Sequence, residues 1–164
     1  MNIADAAKEF AIAQHGTQKY GEHSYSYHLA QVSQVLAEFG YAGDEAIAAA
    51  GWLHDTLEDT PTTYEMLVSE FGKETADIVR AVTSEPGENR ADRFRKTVLK
   101  IQSNKKALAV KLADRIANTE ASLQSNPKLY KMYVKEFALF KELLYNPRDA
   151  ELMPLWNRLE SSNK

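Results

Sequence analysis

The sequence predicts an all-α fold, an irregular bundle of about eight helices, on three observations. Apolar residues recur at helical spacing from one end of the chain to the other; strand-like alternation is absent; and no repeat, low-complexity tract or Gly/Ser/Pro linker divides the chain. With 164 residues, 44% apolar and 26% charged, the composition is that of an ordinary globular domain, so residues 1–164 are expected to form one unit with a substantial core.

The elements follow in order. A first helix covers 3–14. A second covers 28–39, where Leu29, Val32, Val35, Leu36 and Phe39 share a stripe and Gly40 is placed to terminate it. Asp44 can cap a third, Ala-rich helix that runs to about Glu58, ahead of Thr60-Pro61. Thr62 and Glu65 have capping-box spacing and open a short helix closing at Phe71-Gly72, and another short one covers 74–82. Pro86 and Gly87 mark "SEPGENR" as a loop. Helices are then expected at about 90–102, 105–123 and 127–145, with a last one near 149–160.

Composition narrows the function. A net charge of −3 and a pI near 5.8 give no pull towards nucleic acid or an anionic membrane, so an anionic ligand must be met by a local basic pocket. No run approaches the roughly 18 apolar residues of a membrane span, and "MNIADAAKEF" lacks the basic and apolar regions of a signal peptide. A cytoplasmic protein is expected. With no cysteine there are no disulfides and no thiolate ligands, which leaves nitrogen and oxygen donors for any metal.

The chemistry concentrates in "GWLHDTLEDT", residues 51–60, where an apolar helix acquires His54, Asp55, Glu58 and Asp59. Buried charges cost several kcal/mol each unless they are paired or bound to a cation. On a continuous helix His54, Glu58, Asp55 and Asp59 fall at about 0°, 40°, 100° and 140°, one sector facing one point. A second polar intrusion is Asp114 with Asn118, i,i+4 neighbours on a helix otherwise set by Leu108, Val110, Leu112 and Ile116; a third is His28, at the start of the second helix. If these elements converge, His28, His54, Asp55 and Asp114 place two imidazoles and two carboxylates around one divalent cation, which offsets the buried charge. The plainer alternatives are a surface or core His54-Asp55 pair, solvated acids at a helix end for Glu58 and Asp59, and a pairing of Asp114 with Arg115 or Lys111 on its own helix. Acids at a helix C-terminus oppose its dipole, which weighs against the second of these.

Four separated stretches carry a family resemblance: "AQHGTQKYGEHSYSYHL", "HDTLEDT", "SEFGKETADIVRAVT" and "KLADRIAN". In order and spacing they resemble the HD-domain metal-dependent phosphohydrolases, and within these the small alarmone hydrolases related to the hydrolase domain of RelA/SpoT proteins. The likeness covers most of the first 120 residues and is loose over 124–164. It implies that His28, His54, Asp55 and Asp114 hold Mn²⁺, that Glu58 and Asp59 serve the water, and that the reaction removes the 3′ pyrophosphate of guanosine tetra- or pentaphosphate to give GDP or GTP. The N/O donor set suits Mn²⁺ or Fe²⁺ at least as well as Zn²⁺. Glu58, one turn from His54, is the better placed proton acceptor. Lys19, Arg90 and Asn118 are candidate substrate contacts, with Arg93 and Lys111 beside them; Tyr25 and Tyr133 are placed to stack or hydrogen-bond.

The chain departs from the family pattern near the substrate. Gln18-Lys19 stands where an Arg-Lys pair is common, the Gly21–His28 loop is one residue longer, and Leu29 replaces a proline. Two other functions therefore stay open: a hydrolase of another nucleotide (a deoxynucleotide, an adenine alarmone or a dinucleotide phosphate), and a nucleotide-sensing or antitoxin-like binding protein.

Overall fold

Asparagine and aspartate side chains start most of the long helices, because their oxygens satisfy backbone N–H groups that the first turn leaves open. In the computed structural model, which describes residues 1–164, Asn2 caps α1 (Ile3–His15), accepting the Asp5 N–H at 2.8 Å. A hairpin follows, β1 (Lys19–Tyr20) antiparallel to β2 (His23–Ser24), with Tyr20 opposite His23. Gly21, at φ +59°, makes the turn between them. Then come α2 (Tyr25–Glu38) and α3 (Glu45–Leu53), the latter capped by Asp44 through the Ile47 N–H at 3.0 Å. The chain continues through α4 (Thr56–Asp59), α5 (Tyr64–Phe71), α6 (Lys73–Val82) and α7 (Arg90–Gln102). It ends with α8 (Lys105–Ser125), α9 (Pro127–Leu144), a 3₁₀ turn at Ala150–Leu152 and α10 (Met153–Ser162).

Four details differ from the sequence expectation. The two short strands carry no alternation pattern and exist only because the Gly21 turn brings them together. Helix α2 begins at Tyr25 rather than near 28, so His28 lies inside its first turn. The expected third helix breaks at Asp55 (φ −102°, ψ 2°) and resumes as α4. Thr63, not Thr62, caps α5, through the Met66 N–H; the buried Thr62 hydroxyl instead donates to Gln14 at 3.1 Å.

Helix α8 is the axis of the fold, packed against α2, α3, α6, α7, α9 and α10. Leu112 and Ile116 are wholly buried there, each contributing about 1.5–3 kcal/mol relative to exposure. Helix α3 is built of small residues, Ala46, Ala49, Ala50 and Gly51, so α1 and α2 approach it closely; a Cβ on Gly51 would stand 2.8 Å from Leu36 Cδ1. No helix is long and apolar enough to cross a membrane. The packing of α2 and α3 on α8 sets four polar positions side by side in a largely apolar interior.

Candidate metal centre

Those positions are His28 on α2, His54 and Asp55 at the α3 break, and Asp114 on α8. One ligand atom from each lies within 4.8 Å of all the others. His54 Nε2 is 3.0 Å from Asp55 Oδ2 and 3.2 Å from Asp114 Oδ1; His28 Nε2 is 3.1 Å from Asp114 Oδ1 and 3.7 Å from Asp55 Oδ2. Donors held about 2.0–2.2 Å from a common ion stand about 3 to 4.4 Å apart, a range that includes the four histidine–aspartate separations of 3.0 to 3.7 Å. Both imidazoles are buried, and the Asp114 residue retains 8% of its exposure.

The helix break explains the convergence. His54 Nδ1 lies 2.9 Å from the Gly51 carbonyl, which accepts its proton and leaves Nε2 aimed at the two carboxylates. Asp55, released from α3, turns its carboxylate to the same point, where the Tyr25 hydroxyl donates to Oδ2 at 2.5 Å. Burial alone would neutralise these groups, but their mutual attraction prevails. Burial disfavours the His54 imidazolium, yet the Asp55 and Asp114 charges hold its pKa well above the ordinary value. For Asp114 burial is opposed by Lys111 and then by His54, and the net shift is well below the carboxylate range; for Asp55 burial is outweighed by His54, leaving a pKa of about 2. The carboxylates demand positive charge where the four donors meet. A proton on His54 Nε2 supplies part of it, and a divalent cation bound in that proton's place supplies more, so the residues fit a divalent metal ion.

A cavity of about 350 Å³ opens on this cluster. Glu58 sits at its mouth and accepts the Ser84 N–H at 2.8 Å; partial burial, only partly offset by that bond, pushes its pKa up, and the neighbouring Asp55 charge adds to the rise. Asn118 bridges Tyr20 and Asp114, accepting from the Tyr20 hydroxyl at 2.7 Å and donating to Asp114 Oδ1 at 3.1 Å. Lys111, Arg93, Arg90, Arg115 and Tyr133 also line the cavity. Lys111 pairs with Asp114 at 3.4 Å, whereas Arg115 pairs with Glu136 on α9 at 3.0 Å.

Most of the sequence-derived candidates therefore meet in one place: His28, His54, Asp55, Asp114, Glu58, Tyr25, Arg90 and Asn118 all line the cavity. Two do not. Lys19 is exposed on β1 outside the lining, and Asp59 is exposed on α4, where its Oδ2 accepts from Gln18 Nε2 at 3.1 Å. Tyr20, Arg115, Glu136 and the Ser84 backbone line the cavity without having been singled out. Arg115 directly follows Asp114, a signal that sequence alone attributes to a local pair.

Comparison with known proteins agrees with the geometry. Residues 6–144 match the HD domain family. The chain is 36% identical over 136 residues to a probable guanosine-3′,5′-bis(diphosphate) 3′-pyrophosphohydrolase of Synechocystis, covering 77% of this chain and 18% of that protein. It is also 36% identical over 113 residues to the guanosine-3′,5′-bis(diphosphate) 3′-pyrophosphohydrolase MESH1 of Danio rerio, covering 66% of this chain and 63% of that one. The chain thus spans under two thirds of either relative's length. A solved structure of a metazoan ortholog of SpoT that hydrolyses ppGpp superposes with a TM-score of 0.79 over 98% of this chain and 96% of the other, at 22% identity, a likeness of fold.

Proposed function

Since the chain belongs to the HD domain family, we propose that it is a metal-dependent hydrolase that removes the 3′ pyrophosphate of guanosine 3′,5′-bis(diphosphate), giving GDP, or GTP from the pentaphosphate. The observation that carries this reading is the meeting of His28, His54, Asp55 and Asp114 within 4.8 Å, at the floor of a cavity that also holds Glu58 and several cations. The relatives named above act on that substrate.

The four residues would hold one divalent cation, with Mn²⁺ favoured by the two carboxylates and two imidazoles and Fe²⁺ or Zn²⁺ compatible with them. When bound, such an ion supplies a Lewis acid that offsets phosphoryl charge and makes a water easier to deprotonate. Glu58 is the group placed to take the water's proton. Its orientation is set by the Ser84 N–H, and its raised pKa brings it closer to neutral pH, where a carboxylate is a more effective base. Water adds to the phosphorus next to the 3′ oxygen, the P–O3′ bond breaks, and the proton held by Glu58 returns to the sugar oxygen as the 3′ hydroxyl. Asn118 and Tyr25 orient Asp114 and Asp55, while Lys111 and Arg93 meet negative charge developing on the phosphoryl oxygens. Asp59, anchored to Gln18, steadies the α4 turn.

A different nucleotide substrate is the second reading, favoured by the exposed position of Lys19 and by Gln18, which is occupied with His15 and Asp59 instead of meeting a base. The test is pyrophosphate and phosphate release by Mn²⁺-loaded protein on guanosine tetraphosphate and a nucleotide panel. Release from the 3′ position, abolished in folded His54→Ala and Asp114→Ala, supports the first reading. Turnover of another nucleotide alone supports the second, and tight nucleotide binding without any turnover would leave a sensing or antitoxin-like protein.

A further inference from the structure

The cavity has a second charged group, distinct from the four metal-binding candidates. Arg90, the first residue of α7, donates from Nε to Glu136 Oε2 at 2.7 Å and from Nη2 to Oε1 at 3.0 Å. Arg115 Nη1, from α8, donates to the same Oε1 at 3.0 Å. The Arg115 guanidinium lies over the rings of Tyr133 and Phe140, 5.2 and 4.7 Å from their centroids. All five residues line the cavity.

This group contains more cation than an ion pair needs. Glu136 alone compensates Arg115, whose side chain is 9% exposed and is costly to bury unpaired. Arg90, half exposed, could reach solvent, yet it is held bidentately at the cavity wall. Two guanidiniums and one carboxylate leave a net positive charge. Each guanidinium has five N–H donors, and Glu136 uses two from Arg90 and one from Arg115. Donors remain beside the aromatic faces of Tyr133 and Phe140, in the same cavity that holds the four metal-binding candidates.

We propose that Arg90, Glu136 and Arg115 form an anion subsite for a second phosphoryl arm of the substrate, the diphosphate that is not hydrolysed. This rests on the cavity being a phosphohydrolase site. The ligand class is a nucleoside carrying a 5′-diphosphate. Glu136 holds the two guanidiniums in register and attenuates their charge, so a diphosphate, with more acceptor oxygens and charge, is retained over an uncharged nucleoside.

The test is calorimetric binding of GDP and of guanosine to Mn²⁺-loaded wild type, Arg90→Ala and Glu136→Gln, with circular dichroism confirming the fold. Arg90→Ala is expected to weaken GDP by about tenfold and to leave guanosine within about twofold. Glu136→Gln is expected to tighten GDP by about threefold through removal of the competing charge. Unchanged GDP affinity in Arg90→Ala, or equal losses for GDP and guanosine, overturns the subsite. Unchanged or weaker GDP binding in folded Glu136→Gln overturns the attenuating role. If Glu136→Gln does not fold, Arg90→Ala decides alone. Hydrolysis of guanosine tetraphosphate is scored separately, so Arg90-dependent GDP binding without turnover keeps the subsite and rejects the proposed reaction, while turnover without it does the reverse.

Discussion

The Tyr20 ring lies flat against the His28 imidazole, with 4.7 Å between centroids and 17° between planes. A metal-binding histidine is ordinarily oriented by a hydrogen bond from its other ring nitrogen; His28, a candidate for that role, has its Nδ1 buried without a protein partner, and the Tyr20 ring covers its face. The Tyr20 hydroxyl also reaches Asn118 and, through it, Asp114. Tyr20→Ala is expected to weaken divalent-cation affinity by about tenfold, and Tyr20→Phe, which keeps the ring, by much less. Co²⁺ titration followed by visible absorption separates the two. Equal losses would assign the orienting role to the hydroxyl, and no loss in either variant would make the contact incidental.

Metal binding should appear as folding stability, because the donor set is assembled only when α2, α3 and α8 are packed. At a free concentration about 100 times Kd, a ligand specific to the folded state adds about 2.7 kcal/mol. For a domain of this size that raises Tm by about 5–10 °C. Mn²⁺ added to chelator-treated protein is expected to produce such a shift in differential scanning fluorimetry, and Asp114→Ala to abolish it. An unchanged Tm in the wild type would argue that the four donors do not share an ion.

The cluster of His28, His54, Asp55 and Asp114 is legible in sequence because each of its segments interrupts an apolar helix, an arrangement with few physical excuses. The finer geometry is not. Placing His54, Asp55, Glu58 and Asp59 in one sector assumes an unbroken helix, and the chain leaves helical geometry at Asp55. That break sends Glu58 to the cavity and Asp59 to Gln18. Tyr20 and Glu136 depend on how β1 and α9 lie against α2 and α8, and side-chain periodicity along one element cannot report which neighbour another element brings. Helix boundaries agree closely, and the α5 cap falls on Thr63 instead of Thr62, for one reason: capping chemistry is short-range, and adjacent threonines offer the same oxygen.

Acid sensitivity should come in part from the C-terminal helix. Arg158 on α10 donates from Nε and Nη2 to Glu120 on α8, both at 2.9 Å, and from Nη1 to Glu38 on α2 at 2.6 Å. The Arg158 hydrogen bonds hold the Glu120 carboxyl below its ordinary value of 4.5, against the opposing effect of burial. Its folded pKa is thus lower than its unfolded one, so the stabilisation is complete above about 4.5 and is lost as pH falls through the folded value. Glu120 is partly exposed, so the contribution is modest. Tm measured from pH 6 to about 3 should fall more steeply in the wild type than in Glu120→Gln. Parallel curves would show that the Arg158–Glu120 contact adds no pH-dependent stability.

Gly87 ties the 84–89 loop to the placement of Glu58, the proposed proton acceptor. A Cβ there would stand 2.6 Å from Asp92 Oδ2 and 2.9 Å from the Arg93 backbone nitrogen, and the backbone at the start of α7 cannot yield as a side chain can. Gly87→Ala therefore has to move the loop. The same loop supplies the Ser84 N–H that orients Glu58, and its far end carries Arg90. None of its hydrogen bonds reaches His28, His54, Asp55 or Asp114. The substitution is expected to lower kcat by about tenfold, the cost of misplacing the proton acceptor by a fraction of an ångström, while leaving the Mn²⁺-induced rise in Tm within about 1 °C of wild type. Steady-state kinetics and metal titration on the same preparation read the two effects independently. A loss of metal response together with activity would mean that the loop supports the metal centre itself, and an unaltered kcat would mean that Glu58 does not need Ser84 to find its place.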